Sequence, residues 1–264
     1  MANTLTVAIH KLTSCSGCQL SFLNLGSDLL KVLEKVTFVH FIEAGLYAPD
    51  DDVDLVLVEG SVSTADDLAR LELARSHAKW LVTMGACATS GGVQALRNMG
   101  NKDEWTRTVY AHPEFIETLD NSTPVAEHVK VDFELWGCPV TAAQLIALIQ
   151  QLSAGVLPKD DAEKVCMACK RDQNVCVMVT RQAPCLGPVV RTGCGALCPA
   201  FGRACYGCFG PSEQPNATSL SNRFAGLGLQ PDAIVQRFAA IHSHAPSNQT
   251  QIQRWQQINV TEVK

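Results

Sequence analysis

Long apolar runs are missing from this chain of 264 residues. No stretch approaches the ~20 residues that a membrane-spanning helix needs, so no span is expected. Basic clusters are missing as well. Its 21 lysines and arginines are scattered among 26 acidic residues, giving a net charge of −5. A nucleic-acid surface would gather its cations into a stripe, so that class of partner is not expected. The opening Met-Ala-Asn-Thr-Leu-Thr-Val-Ala has no basic start, apolar core or twin arginine, so no export signal is expected and the chain reads as cytoplasmic. With 47% hydrophobic and 18% charged residues it has no disorder signature either. Its seven histidines show no ligand spacing with the cysteines, and His242 and His244 read as features of a solvated tail.

What the chain has instead is cysteine. The twelve stand at positions 15, 18, 87, 138, 166, 169, 176, 185, 194, 198, 205 and 208. A reducing cytosol argues against six disulfides, which leaves metal or redox chemistry. Twelve thiolates would suit three four-iron clusters, and also three zinc sites, so placement has to decide.

Up to about residue 152 the pattern alternates short apolar strands with amphipathic helices. Strands are expected at Thr4–Lys11, Thr37–Glu43, Asp54–Glu59, Trp80–Met84 and Val129–Trp136, and helices at Gln19–Glu34, Ala65–Lys79, Gly91–Asn98 and Thr141–Leu152. The first helix should turn Leu20, Leu23, Leu30 and Leu33 to one face, and Thr64-Ala-Asp-Asp should cap the second. Alternation of this kind builds an α/β, doubly wound parallel sheet, whose ligands bind beyond the carboxyl ends of its strands. Pro158 and the charged run Lys159–Lys164 mark a linker, dividing residues 1–157 from 158–264. Eight cysteines then crowd between 166 and 208, among Gly and Pro and without apolar periodicity. Such a segment should depend on metal ligation for its fold. Beyond Pro211 only a weak helix around Asp232–Ile241 is expected.

Three separate segments carry the first quartet. Cys15 and Cys18 follow the first strand, Cys87 the fourth and Cys138 the fifth, so all four should reach the carboxyl edge of one sheet. Gly17, Gly85 and Gly137 beside them would admit backbone close to inorganic sulfur, and helix N-termini downstream would favour an anionic cluster. The other cysteines run Cys166-x2-Cys169-x6-Cys176-x8-Cys185 and Cys194-x3-Cys198-x6-Cys205-x2-Cys208. Neither follows the regular bacterial ferredoxin spacing, so spacing does not decide which thiol joins which site, and zinc remains the rival there.

The motifs Ser14-Cys-Ser-Gly-Cys-Gln-Leu-Ser21, Glu59-Gly-Ser-Val62, Gly85-Ala-Cys87, Gly137-Cys-Pro139 and Cys194-Gly-Ala-Leu-Cys-Pro199 resemble the small, electron-transferring subunit of cytoplasmic [NiFe] hydrogenases. The resemblance covers nearly the whole chain. It implies a flavodoxin-like domain followed by a cysteine-rich, ferredoxin-like iron–sulfur domain. It also implies three [4Fe–4S] clusters: a proximal one on Cys15, Cys18, Cys87 and Cys138, a medial one on Cys194, Cys198, Cys205 and Cys208, and a distal one on Cys166, Cys169, Cys176 and Cys185. The nickel–iron centre would belong to a partner large subunit. Further iron–sulfur or flavin diaphorase-type subunits would lead to NAD(P), coenzyme F420 or another acceptor, an NAD(P)-linked module being expected. No catalytic residue is expected on this chain, whose isolated form should fold poorly without iron and partner.

Two rival readings differ in checkable ways. The quinone-reductase subunit of respiratory complex I resembles the same amino-terminal fold, but typically has adjacent cysteines in its first motif and lacks a cysteine-rich tail. A zinc-stabilised interaction module would be colourless. Glu59, ending a strand near the first quartet, reads either as an acid bonded to nearby N–H groups or as a proton relay or cluster-tuning group. Trp136, Phe201, Tyr206 and Phe209 flank cysteines and are expected to shield them from water.

Overall fold

The computed structural model describes residues 4–159 and 163–262, with side chains up to residue 258. Of the expected linker, Asp160–Ala162 lie outside the described residues. The chain divides into two compact units, Met1–Lys159 and Asp160–Lys264.

In the first unit five parallel strands form one sheet, in the order β2-β1-β3-β4-β5. They are β1 (Leu5–Lys11), β2 (Val36–Phe41), β3 (Val53–Glu59), β4 (Ala78–Met84) and β5 (Phe133–Leu135). Because side chains alternate along a strand, the apolar residues divide between two faces. Val7, Ile9, Leu55, Leu57, Val82 and Met84 enter one buried cluster with Phe22, Phe41 and Leu145. Ala8, Val56, Val58 and Leu81 enter another with Leu71, Ala74 and Val125. Near-continuous apolar strands are therefore covered on both sides, as a parallel sheet requires.

The first expected helix is two. Helix α1 (Gly17–Leu23) is separated from α2 (Asp28–Leu33) by a turn through Asn24–Ser27. Cys18, Phe22, Leu25 and Val32 supply its buried face, while Leu20, Leu23, Leu30 and Leu33 are 43%, 36%, 68% and 45% exposed. Both sets recur at helical spacing, so periodicity found a helix but not its inner face. Helix α3 (Ala65–Ser76) opens with the expected capping box, Thr64 and Asp67 each bonding the other's backbone N–H. Short α4 (Ala86–Ser90) leads into a 3-10 segment, Gly92–Met99, rather than an α-helix. Unexpected α5 (Lys102–Val109) buries no residue, and α6 (Ala142–Ser153) packs Leu145, Leu148, Ile149 and Leu152 inward from a second capping box at Thr141.

In the second unit, α7 (Val165–Arg171), α8 (Val177–Thr180) and α9 (Leu197–Ala200) carry or border the cysteines. Its β structure among the described residues consists of isolated pairs, Lys164 with Arg191 and Val190 with Pro211. The tail corrects the sequence expectation. It forms α10 (Ala217–Gly226), α11 (Pro231–Ala239) and α12 (Pro246–Glu262), where one weak helix was expected. Phe224, Ile234, Phe238, Ile252 and Trp255 are buried among these helices, and the Phe224 and Phe238 rings lie 6.2 Å apart. This unit therefore has an apolar core of its own.

Candidate iron–sulfur sites

Strand register brings the first quartet together. Lys11 pairs with Glu59, Glu59 with Met84, and Met84 with Leu135, so the strands end on one line. Just past that line the backbone is tied by Leu12 N–H to Glu59 O at 2.7 Å, Gly85 N–H to Leu135 O at 2.8 Å and Ala86 N–H to Gly137 O at 2.7 Å. Cys15, Cys18, Cys87 and Cys138 all issue from this edge. Their thiols disfavour one another's ionisation: Cys18 senses Cys87 and Cys138, Cys87 senses Cys138 and Cys15, and Cys138 senses Cys15. Burial is the larger cause. It pushes the Cys87 thiol up to about 12, raises Cys18 further and raises Cys138. Thiols so raised ionise together only when a cationic group offsets their charge. Cys18 is buried and Cys87 half-buried, whereas Cys15 and Cys138 are exposed, so the site opens to one side.

Two glycines leave room for the thiols. At Gly85 (φ 89°) any Cβ would collide with Cys18 Sγ, and at Gly92 (φ 60°) it would come within 2.7 Å of Cys87 Sγ. Positive φ and the absence of a side chain are both required at these positions.

Glu59 lies beneath this quartet, 2% exposed. Its Oε1 accepts from Cys18 N–H at 3.0 Å and its Oε2 from Gln19 N–H at 3.3 Å. Burial raises its carboxyl above the usual range, while the Gln19 carboxamide and these N–H groups work against that rise. The plainer of its two expected roles, an acid bonded to backbone at a helix start, is thus present. Sequence reasoning missed Gln94, whose Oε1 accepts from Cys87 Sγ at 3.2 Å and whose Nε2 donates to Thr13 O at 3.2 Å. Only the adjacent Gly91-Gly92 hinted that this segment doubles back.

In the second unit the Cys166 thiol senses Cys185, Cys169 and Cys176, and burial pushes it up to about 11. Cys169 senses Cys185 and Cys176 in turn. Cys205, raised chiefly by burial, senses Cys208 and Cys194 and also Cys185, whose Sγ accepts from its N–H at 3.2 Å. Trp136 and Phe209 are buried, at 9% and 3% exposed, whereas Tyr206 and Phe201 are 44% and 76% exposed, so Phe201 does not shield its neighbours as expected. His242 is also corrected: it is 2% exposed, not solvated, with Nε2 3.0 Å from Cys208 O. Burial takes its imidazole down to about 4.

Among the described residues no group of three or more His, Cys, Asp or Glu side chains could hold a metal ion.

Residues 15–152 match the family model described as NADH ubiquinone oxidoreductase, 20 Kd subunit. The chain is also 36% identical to Sulfhydrogenase 2 subunit delta of Pyrococcus furiosus, over 81% of this chain and 90% of that one. It belongs to this family, on the side of the hydrogenase small subunits. A second relative of this family, from the vhu F420-non-reducing hydrogenase of Methanocaldococcus jannaschii, is 30% identical over 88% of this chain and 97% of its own length. A chain of the crystal structure of NAD+-reducing [NiFe]-hydrogenase in the H2-reduced state superposes with a TM-score of 0.56 at 30% identity. That match covers 60% of this chain and 96% of the other. Whereas the family model ends at residue 152, the matches to the two hydrogenase relatives cover 81% and 88% of the chain and so reach into the cysteine-rich unit. No helix among the described residues is long and apolar enough to cross a membrane.

Proposed function

We propose that this chain is the electron-transfer subunit of a [NiFe] hydrogenase and holds three [4Fe–4S] clusters. Cys15, Cys18, Cys87 and Cys138 would hold the proximal cluster, Cys166, Cys169, Cys176 and Cys185 the distal one, and Cys194, Cys198, Cys205 and Cys208 the medial one, the last two within a ferredoxin-like module. When bound, such clusters supply one-electron transfer between a nickel–iron centre on a large subunit and an acceptor carried by further subunits. The observation that carries this reading is the arrival of four thiols from three remote strand ends at one glycine-lined edge.

The residues of this chain ligate, bury and insulate. Backbone packed at Gly85 and Gly92 holds the first quartet closely, and buried Trp136 flanks it. The exposed flank with Cys15, Cys138, Leu20 and Leu23 suits a large-subunit surface that completes the burial. The influence of Cys185, Cys169 and Cys176 on Cys166 supports their grouping, while Cys205 senses Cys185 as well as Cys208 and Cys194, so the split between the two quartets rests on the family resemblance. The place of Cys198 rests on the family resemblance. Free thiols at all twelve cysteines agree with a reducing, cytoplasmic setting. The relatives' names share hydrogenase but differ in acceptor, from sulfur to NAD+, so the H2 end of the relay is better supported than its NAD(P)-linked or other soluble-acceptor end.

Purified without oxygen, the complex should contain about four irons and four sulfides per cysteine quartet, a broad visible absorption bleached by H2, and nickel on a co-purifying large subunit. A colourless, zinc-only protein would overturn the reading. Glu59→Gln tests the tuning role: the potential of one cluster should rise while the other two hold, and three unmoved potentials with unchanged H2 turnover would end that role.

A further inference from the structure

The second unit carries a charge pattern that the ligand role leaves over. Between Cys166 and Cys208 stand five cations, Lys170, Arg171, Arg181, Arg191 and Arg203, against one acid, Asp172, in a chain whose net charge is −5. Four of the five make a contact within the fold, Arg203 by donating to Tyr206 Oη at 3.3 Å with its guanidinium 5.8 Å from that ring's centroid. Arg171 pairs with Glu163, and half-buried Arg191 donates to Pro211 O at 3.0 Å. Lys170, Arg181 and Arg203 are exposed and make no ion pair among the described residues. Arg181 donates to Gly202 O at 2.9 Å, which ties the end of α8 to the turn between Phe201 and Arg203. On the same short stretches lie exposed apolar side chains, Val175 (68%), Val179 (78%) and Phe201 (76%). Val175 adjoins Cys176, the one exposed thiol of this unit, and Lys170 acts electrostatically on Cys166 of the same quartet. An apolar centre with cations around it that lack acidic partners, at the most exposed thiol of its quartet, has the anatomy of a protein-docking surface. Solvated cations add little to the stability of a fold or a cluster, but they steer an oppositely charged partner and fix its orientation.

We propose that this surface around Cys176 docks the electron-accepting subunit, and that the face of that subunit is acidic around an apolar centre. The inference rests on the reading of Cys166, Cys169, Cys176 and Cys185 as the distal ligands. It adds the chemistry of the partner: carboxylates opposite Lys170, Arg181 and Arg203, and an apolar contact on Val179 and Phe201.

The test uses the purified complex, with Lys170→Glu, Arg181→Glu and Arg203→Glu together, and Lys170→Glu with Arg203→Glu alone so that the Arg181–Gly202 bond stays intact. Both variants should release the electron-accepting subunit at severalfold lower NaCl than the parent complex. Both should also slow H2-driven reduction of that subunit roughly tenfold or more, the loss expected when steering charges are reversed. Iron content and H2-driven reduction of a small uncharged quinone dye should be unchanged. Unaltered salt release and rate would overturn the proposal. So would loss of iron, which would make the cations part of cluster assembly, or release of the nickel-bearing subunit instead. Salt release is measured without H2. A parent complex that fails to reduce the dye therefore counts against the hydrogenase reading, while the docking surface is judged separately.

Discussion

In the first unit the thiols stand at the ends of strands whose cores close without them: one apolar cluster lies on each face of the sheet, and no cysteine but Cys18 belongs to either. In the second unit the thiols are spread along α7, α8, α9 and their loops, where Val165, Val177, Leu186, Val189 and Val190 are buried, and α10, α11 and α12 add an apolar core of their own. A sheet edge fixes ligand positions through register, at the carboxyl end where such sheets place their ligands. A string of loops fixes nothing by itself and needs an outside scaffold or the metal. His242 on the carboxyl-terminal side, against Cys208 O, is one place where that scaffold reaches the ligand loops.

The sharpest way to break this comparison is at Gly85. Gly85→Ala sets a methyl group against Cys18 Sγ in a left-handed backbone, and should lower occupancy of the cluster proposed on Cys15, Cys18, Cys87 and Cys138 roughly 10–100-fold. The second unit should keep its iron, so iron analysis and cluster spectra of the variant complex separate one loss from three. Loss of all iron would mean that the units do not load independently.

Phe238→Ala removes a fully buried ring from the carboxyl-terminal helices and should cost about 3–5 kcal/mol. Proteolysis of the variant complex should open the second unit first and leave the sheet protected. Equal opening of both units would contradict a separate helical core.

Acid should act on both units, through His10 in the first and His242 in the second, each with its imidazole taken down to about 4 by burial. His10 on β1 is 5% exposed and stacks on His40 at 4.6 Å. Burial, then His40 and Arg70, take its imidazole down to about 4. The unfolded chain binds that proton near pH 6.5, so between pH 6.5 and 4 it holds more protons than the folded one. Stability of the first unit should therefore fall as pH drops through that window, by about 3 kcal/mol in all, and be fully present above it. His10→Gln should flatten the slope in chemical denaturation monitored on the first unit. An unchanged slope would assign it to other groups.

The smallest effect is expected at Leu30, 68% exposed on α2. Leu30→Ser should change stability by no more than about 0.5 kcal/mol, whereas a buried leucine at this position would cost several times more. Denaturation midpoints would tell the two apart.

Much is legible in the sequence because it depends on local pattern. Alternation of apolar strands with amphipathic helices is enough to indicate a parallel sheet, and cysteines placed just after strands indicate an edge site. Thr64 and Asp67 can be paired from spacing because a capping box lies within one turn. The departures share a cause as well. Leu20, Leu23, Leu30 and Leu33 read as an inner face because two apolar stripes on one segment look alike until the sheet chooses between them. The carboxyl-terminal helices leave a faint signal because α12 is polar over most of its length, and its burial comes from few residues, Ile252 and Trp255 among them. His242 gives no signal, since only tertiary packing places it against Cys208.

By itself the sequence determined how many thiols the chain offers and which of them follow strands. These follow from composition and near-neighbour spacing, which folding cannot alter. Tertiary structure alone decided the inner face of α1 and α2, the approach of Gln94 to the first quartet, and the exposed cations about Cys176. Each depends on residues far apart in the chain meeting, or failing to meet, once the strands are in register and the helices are packed.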